Sequence, residues 1–85
     1  FDLDCLDPSV APAVSNIEAG VAGFGIDEAN AILRGLRALD IVGADVVCLM
    51  PTKDLPNQIT AMVAAHVMYE LLSLIADRVA TARGM

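Results

Sequence analysis

Phe1-Asp2-Leu3-Asp4-Cys5-Leu6-Asp7-Pro8-Ser9-Val10-Ala11-Pro12 is the stretch from which the rest of the chain is read. Phe1, Leu3 and Cys5 alternate with Asp2 and Asp4, and a period of two is the period of a β-strand. A strand over residues 1–6 sends both carboxylates out of the same side. Two like charges one pleat apart repel each other, so water, a cation or a cluster of donors must offset them. Oxygen-rich sites at strand ends commonly hold hard divalent cations such as Mg²⁺ or Mn²⁺. Pro8 and Pro12 stop the strand and turn the chain into a loop. Asp2 and Asp4 are therefore candidate metal ligands. The plainer alternative is a solvated pair of acids at the start of an exposed strand.

The surroundings of this stretch set bounds. The chain has 85 residues, so it is one small domain at most. Hydrophobic residues make up 56% of it, a high share for a free-standing domain of this size. The surplus, and a start inside an apolar strand, read as a piece of a longer protein whose faces are covered elsewhere. Eleven acids against five bases leave a formal charge of −6, which disfavours nucleic acid and anionic membrane surfaces as partners. Cys5 and Cys48 lie in apolar runs without zinc-site spacing, and read as buried, reduced thiols of a cytoplasmic protein.

Residues 7–24 form a long loop marked by Pro8, Pro12, Ser15, Asn16, Gly20 and Gly23, and connections of that length are often functional. A helix follows, with Gly25 as its N-cap and Glu28 placed to reach back to free backbone donors. Ile26, Ala29, Ile32, Leu33, Leu36 and Leu39 give it one apolar face. Arg34 and Arg37 read as its solvated side. Residues 41–50 form a second strand, so continuously apolar that both faces are expected to be buried. Strand, helix and strand make a crossover unit with two parallel strands. In open parallel sheets ligands bind beyond the carboxyl ends of the strands, which places loops 7–24 and 50–55 at the same edge as Asp4. A last helix starts at Asp54 or Leu55, takes Pro56 in its first turn and runs to Ala82, roughly 40 Å. Its expected stripe is Ile59, Met62, Val63, Val67, Leu71, Leu74, Ile75 and Val79. His66, in mid-helix, reads as a packing or interface residue.

Asp2-Leu3-Asp4-x-x-x-Pro8-x-x-x-Pro12-Ala13 resembles the second signature of the ureohydrolases, the family of arginase, agmatinase, guanidinobutyrase and formimidoylglutamase. Ile32-Leu33-Arg34-Gly35-Leu36, Ile41-Val42-Gly43-Ala44-Asp45-Val46-Val47, Asn57-Gln58-Ile59-Thr60-Ala61 and Tyr69-Glu70-Leu71-Leu72 resemble the segments C-terminal to that signature in agmatinase-like members. The resemblance covers nearly the whole chain, in order. It implies an α/β fold, a three-layer α/β/α domain with a parallel sheet, of which residues 1–85 are a C-terminal β-α-β-α portion. It implies two Mn²⁺ ions sharing a water or hydroxide. Asp2 corresponds to the carboxylate that bridges both ions and Asp4 to a ligand of one. It also implies a small-molecule guanidino or amidino substrate whose linear C–N bond is hydrolysed by the bridging hydroxide with release of urea. The expected whole is a cytoplasmic homo-oligomer of the kind serving polyamine metabolism.

Two departures bear on substrate. The run Ala13-Val14-Ser15-Asn16-Ile17-Glu18-Ala19-Gly20-Val21 replaces the family's Gly-Thr-Gly-Thr-Pro-Glu-Pro-Gly-Gly, with Asn16 where a threonine lies near the metals. Cys48 stands where the family has a glutamate that pairs with the guanidinium, a charge-assisted contact that a neutral thiol cannot supply. Asn16 and Cys48 are thus candidate substrate-contacting residues. Cys48 is alternatively an inert buried thiol, or the mark of a divergent or inactive relative acting as an assembly subunit. A third class is phosphoryl transfer. Strand-end D-x-D also occurs in haloacid-dehalogenase-type phosphatases, which continue Gly-Thr where this chain has Cys5-Leu6-Asp7-Pro8.

Overall fold

The computed structural model describes residues 1–84. Its helices are α1 (Ile26–Arg34) and α2 (Ile59–Ala82), with short 3-10 turns at Leu3–Cys5 and Pro51–Lys53. The parallel pairing expected between residues 1–6 and 41–50 is present as a single bridge, Asp2 with Val47. Val47 N–H donates to the Phe1 carbonyl (2.9 Å) and Leu3 N–H to the Val47 carbonyl (3.1 Å). Past that bridge the expected strand is not continuous. The chain winds through the 3-10 turn and becomes extended again at Leu6, which bridges Phe24. Asp2 favours the turn. Its carboxylate accepts the Asp4 N–H at 3.1 Å, and a short acidic side chain that takes a nearby backbone donor competes with a ladder.

Residues 41–50 also depart from expectation. They bridge only at Val47, and at Leu49 antiparallel to Val14. They are not buried on both faces, since Val42 is 75% and Val47 42% exposed. A parallel strand is hidden only when neighbours and helices cover it, and this chain supplies one short pairing.

Loop 7–24 is a closed loop with tied ends. Asp7 N–H donates to the Phe24 carbonyl (2.8 Å) and Phe24 N–H to the Cys5 carbonyl (3.0 Å). The Asp7 carboxylate accepts from Gly23 N–H at 3.2 Å and from the backbone and hydroxyl of Ser9. A Cβ at Gly23 would lie 2.5 Å from the Asp7 nitrogen, so only glycine admits this approach. The middle of the loop is held by α2 and by the 50–53 turn. Ala13 N–H donates to the fully buried Thr60 hydroxyl (3.1 Å), Met50 N–H to the Ala13 carbonyl (2.8 Å), and Lys53 Nζ to the Ser15 carbonyl (3.0 Å). Loops 7–24 and 50–55 therefore do meet at one edge.

At α1 the Glu28 carboxylate accepts the Gly25 N–H at 3.1 Å, as the capping pattern requires. The helix stops at Arg34 instead of carrying its apolar face to Leu39; Gly35 follows it, and glycine disfavours helix continuation. Ala29 and Leu33 are buried, while Ile32 and Leu39 face outward. α2 starts at Ile59, later than expected. Gln58 is left-handed (φ 59°), so the chain cannot be helical there. Asp54 serves as a remote cap, accepting from Thr60 N–H (3.1 Å) and Ala61 N–H (3.0 Å). Pro56 thus lies in the turn before the helix.

The core joins Leu3, Leu6, Ala11, Val14, Ala29 and Ala64. On α2 the buried positions are Thr60, Ala64, Val67 and Leu74, whereas Met62 of the expected stripe is 65% exposed. Arg34 and Arg37 are not merely solvated. They form two-bonded pairs with Glu70 and Asp77 of α2. The Cα radius of gyration is 14.0 Å, against about 12 Å for a compact domain of this length. Large apolar side chains on α2, Met68, Tyr69 and Leu72 among them, face outward.

Candidate metal centre

The 3-10 turn, not a pleat, brings Asp2 and Asp4 together. Leu3 between them is fully buried and anchors the turn, while Asp2 bridges Val47 and forms the rim with it; Asp2 is exposed and Asp4 half-buried. Cys48 is the next residue along that partner segment. Asp2, Asp4 and Cys48 each offer a ligand atom, and these atoms lie within 4.8 Å of one another. Metal–ligand bonds of about 2.0–2.5 Å allow donors to one ion to sit at most roughly 5 Å apart. The three side chains therefore fit around a single cation. Two carboxylates are hard oxygen donors of the type Mn²⁺ takes.

The Asp2 carboxyl lies below its usual value, first because the Asp4 N–H donates to it. The Asp4 carboxyl is raised, first by desolvation, then by Asp2 beside it and by Glu18. Glu18 was not singled out from the sequence; its position within the loop run that departs from the family pattern was the available signal. The Cys48 thiol is also raised, first by its contact with the Asp2 carboxylate.

Cys48 is exposed, not buried, and Cys5 is only partly buried. The expectation of two buried thiols is not met, because residues 41–50 lack covering neighbours among the described residues. Cys48 also has φ 75°, a left-handed conformation that costs a side-chain-bearing residue about 1–2 kcal/mol. Asn16 is exposed and its carbonyl accepts the Glu18 N–H; its side chain makes no hydrogen bond among the described residues. His66 lies away from the rim, between the helices, with Nε2 2.7 Å from Asn30 Oδ1 and 3.8 Å from Glu70. That matches its reading as a packing residue. A cleft of about 390 Å³ is lined by Arg34, Arg37, Glu70, Ser73, Leu74 and Asp77, none of them a rim residue. Its four charged groups are already paired with one another.

Comparison with known proteins gives the same family as the signature. The arginase family profile matches residues 1–73. A guanidinopropionase of Pseudomonas aeruginosa is 46% identical over 80 residues, 94% of this chain and 24% of that protein. An agmatinase of Neisseria meningitidis serogroup C is 49% identical over 74 residues, 87% of this chain and 23% of its own. Arginase 1, mitochondrial, of Arabidopsis thaliana is 48% identical over 75 residues, 88% of this chain and 21% of its own. The crystal structure of a hypothetical agmatinase from Burkholderia thailandensis superposes with a TM-score of 0.86 at 43% identity, over 95% of this chain and 25% of that one. The chain thus spans about a quarter of the length of these relatives. A D-x-D of the phosphatase kind is set aside by the same match. With a solved hypothetical agmatinase among its structural neighbours and the family profile running from Phe1 through most of α2, this chain belongs to the arginase family.

Proposed function

We propose that the protein carrying this chain is a Mn²⁺-dependent ureohydrolase that cleaves a linear C–N bond of a guanidino or amidino compound and releases urea. The reading rests on one observation, the convergence of the Asp2 and Asp4 carboxylates at the rim of a family-matched segment. Asp2 and Asp4 hold the cations, and further ligands come from sequence outside residues 1–85. A bound pair of divalent cations supplies Lewis acidity and makes water acidic enough to deliver a nucleophile at neutral pH. The buried Leu3 and the Asp2–Val47 bridge fix the direction of both carboxylates. Glu18 of loop 7–24 is near enough to Asp4 to raise its carboxyl, and we read this loop, with Asn16 in it, as the wall that meets the substrate's cationic end. Residues 1–85 form the C-terminal portion of one three-layer α/β/α domain. α2 is long and apolar enough to cross a membrane by length and composition alone. We read it as a packing helix of that domain, because the family match extends into it to residue 73.

The names of the relatives supply three substrates to try, and the family resemblance adds guanidinobutyrate. The test is metal analysis of the full-length protein with urea release from agmatine, guanidinopropionate, guanidinobutyrate and arginine. Manganese in the protein and urea from one of the four supports the reading; no bound transition metal and no urea from any contradicts it. The exposed apolar side of α2 favours a second reading, a divergent subunit that acts in assembly. Asp2→Asn separates the two, since a hydrolase loses metal and turnover together and an assembly subunit keeps its oligomeric state with nothing else to lose.

A further inference from the structure

We propose that Cys48 Sγ is a third donor to the cation held by Asp2 and Asp4, and that it tilts this site away from Mn²⁺ toward borderline cations such as Zn²⁺ and Co²⁺. The inference rests on the metal reading above and adds to it which ion the site prefers. Its basis is placement. The Cys48 sulfur lies within 4.8 Å of a carboxylate oxygen of each aspartate, and those two oxygens lie within the same distance of each other. Three donors so spaced satisfy the geometric limit for one ion.

The backbone holds the thiol there. On one side of Cys48, Val47 is bridged to Asp2; on the other, Leu49 is bridged to Val14. One residue further on, Met50 N–H is bound to the Ala13 carbonyl at 2.8 Å. With both neighbours fixed, Cys48 takes the left-handed conformation, and its side chain meets the carboxylates instead of turning away.

The preference comes from donor chemistry. Affinity rises from Mn²⁺ through Co²⁺ toward Zn²⁺ for most donor sets, and a thiolate steepens that order because it is a soft ligand. Two carboxylates alone favour hard cations. Adding sulfur strengthens Zn²⁺ and Co²⁺ binding far more than Mn²⁺ binding. On coordination the S–H bond breaks, the sulfur keeps the electron pair and donates it to the metal, and the proton passes to bulk water.

Titration of the metal-free full-length protein with Co²⁺ tests this by absorption. Wild type should develop a near-ultraviolet sulfur-to-cobalt charge-transfer band at stoichiometric metal, and Cys48→Ser should lack it. By calorimetry, Zn²⁺ affinity should fall about tenfold or more in Cys48→Ser, while Mn²⁺ affinity moves by less than about threefold. Cys48→Asp guards against a folding defect, because aspartate tolerates the left-handed region better than most residues. It should bind Mn²⁺ at least as well as wild type while losing the band. Co²⁺ bound without the band in wild type, or the same Zn²⁺-to-Mn²⁺ preference in all three proteins, overturns the proposal and leaves the metal reading standing. No binding of Co²⁺, Zn²⁺ or Mn²⁺ by wild type overturns both.

Discussion

Asp2 has two tasks at once, and they explain why it is the residue to change first. Its carboxylate takes the Asp4 N–H and so makes the turn, and the turn delivers Asp4 to the same rim. Asp2→Asn keeps an oxygen for the turn but loses the charge. In the full-length protein it should therefore weaken Mn²⁺ binding by roughly a hundredfold or more, since removing a group that only hydrogen-bonds to a metal ligand costs about ten- to a hundredfold. The fold should survive, and calorimetric titration beside circular dichroism checks both. That both acids meet was legible from their spacing and the family signature. How they meet was not: alternation implied a pleat, and a local hydrogen bond from Asp4 to Asp2 produced a turn. Cys48 shows the same limit. An apolar run suggests a hidden thiol, but burial depends on covering neighbours that the described residues do not supply, and a positive φ leaves no mark in the residue letters. Gly23 was read only as loop punctuation, and its structural reason is the close passage of Asp7. Gly23→Ala should destabilise the full-length protein by about 1–3 kcal/mol, as overpacking does, measurable by urea denaturation.

Among the elements, α1 was legible at its start and not at its end. Gly25 and Glu28 form the expected cap, because capping is local chemistry. The stop at Arg34 and the late start of α2 at Ile59 are due to Gly35 and to left-handed Gln58. Asp54 reaches α2 from six and seven residues upstream, a spacing outside the usual cap pattern. The pairing of the helices was hidden for a different reason: Arg34 with Glu70 and Arg37 with Asp77 are 36 and 40 residues apart. Arg34 beside Glu70 and Arg37 beside Asp77 hold both carboxyls below their usual range. A carboxyl lowered in the folded state adds stability above its unfolded value, near pH 4, and loses that contribution as pH falls through the lower folded value. An Arg34→Gln, Arg37→Gln double variant should be slightly less stable than the parent at neutral pH, by an amount that stays flat down to about pH 4 and vanishes below it. Denaturation midpoints measured across that range decide it.

For the molecule as a whole, the chain carries one rim of a site and one flank of a core. Its radius of gyration exceeds that of a compact 85-residue domain, and α2 leaves Met62, Met68, Tyr69 and Leu72 uncovered. Expressed alone, residues 1–85 should bind a hydrophobic dye and melt without a sharp transition; a cooperative melt with no dye binding would contradict this. On the proposed reading, the same isolated piece should hold Mn²⁺ far more weakly than the full-length protein, because further ligands come from outside residues 1–85. The composition agrees with these exposed faces, since a 56% apolar chain of this size has more hydrophobic surface than it can bury itself. The parallel pairing was likewise foretold, though only one bridge of it lies within this chain. The most direct measurement is anomalous diffraction at the manganese edge from crystals of the full-length protein grown with Mn²⁺. An anomalous peak within bonding distance of both the Asp2 and Asp4 carboxylates is the predicted result; peaks only elsewhere, or none at saturating Mn²⁺, would contradict the account.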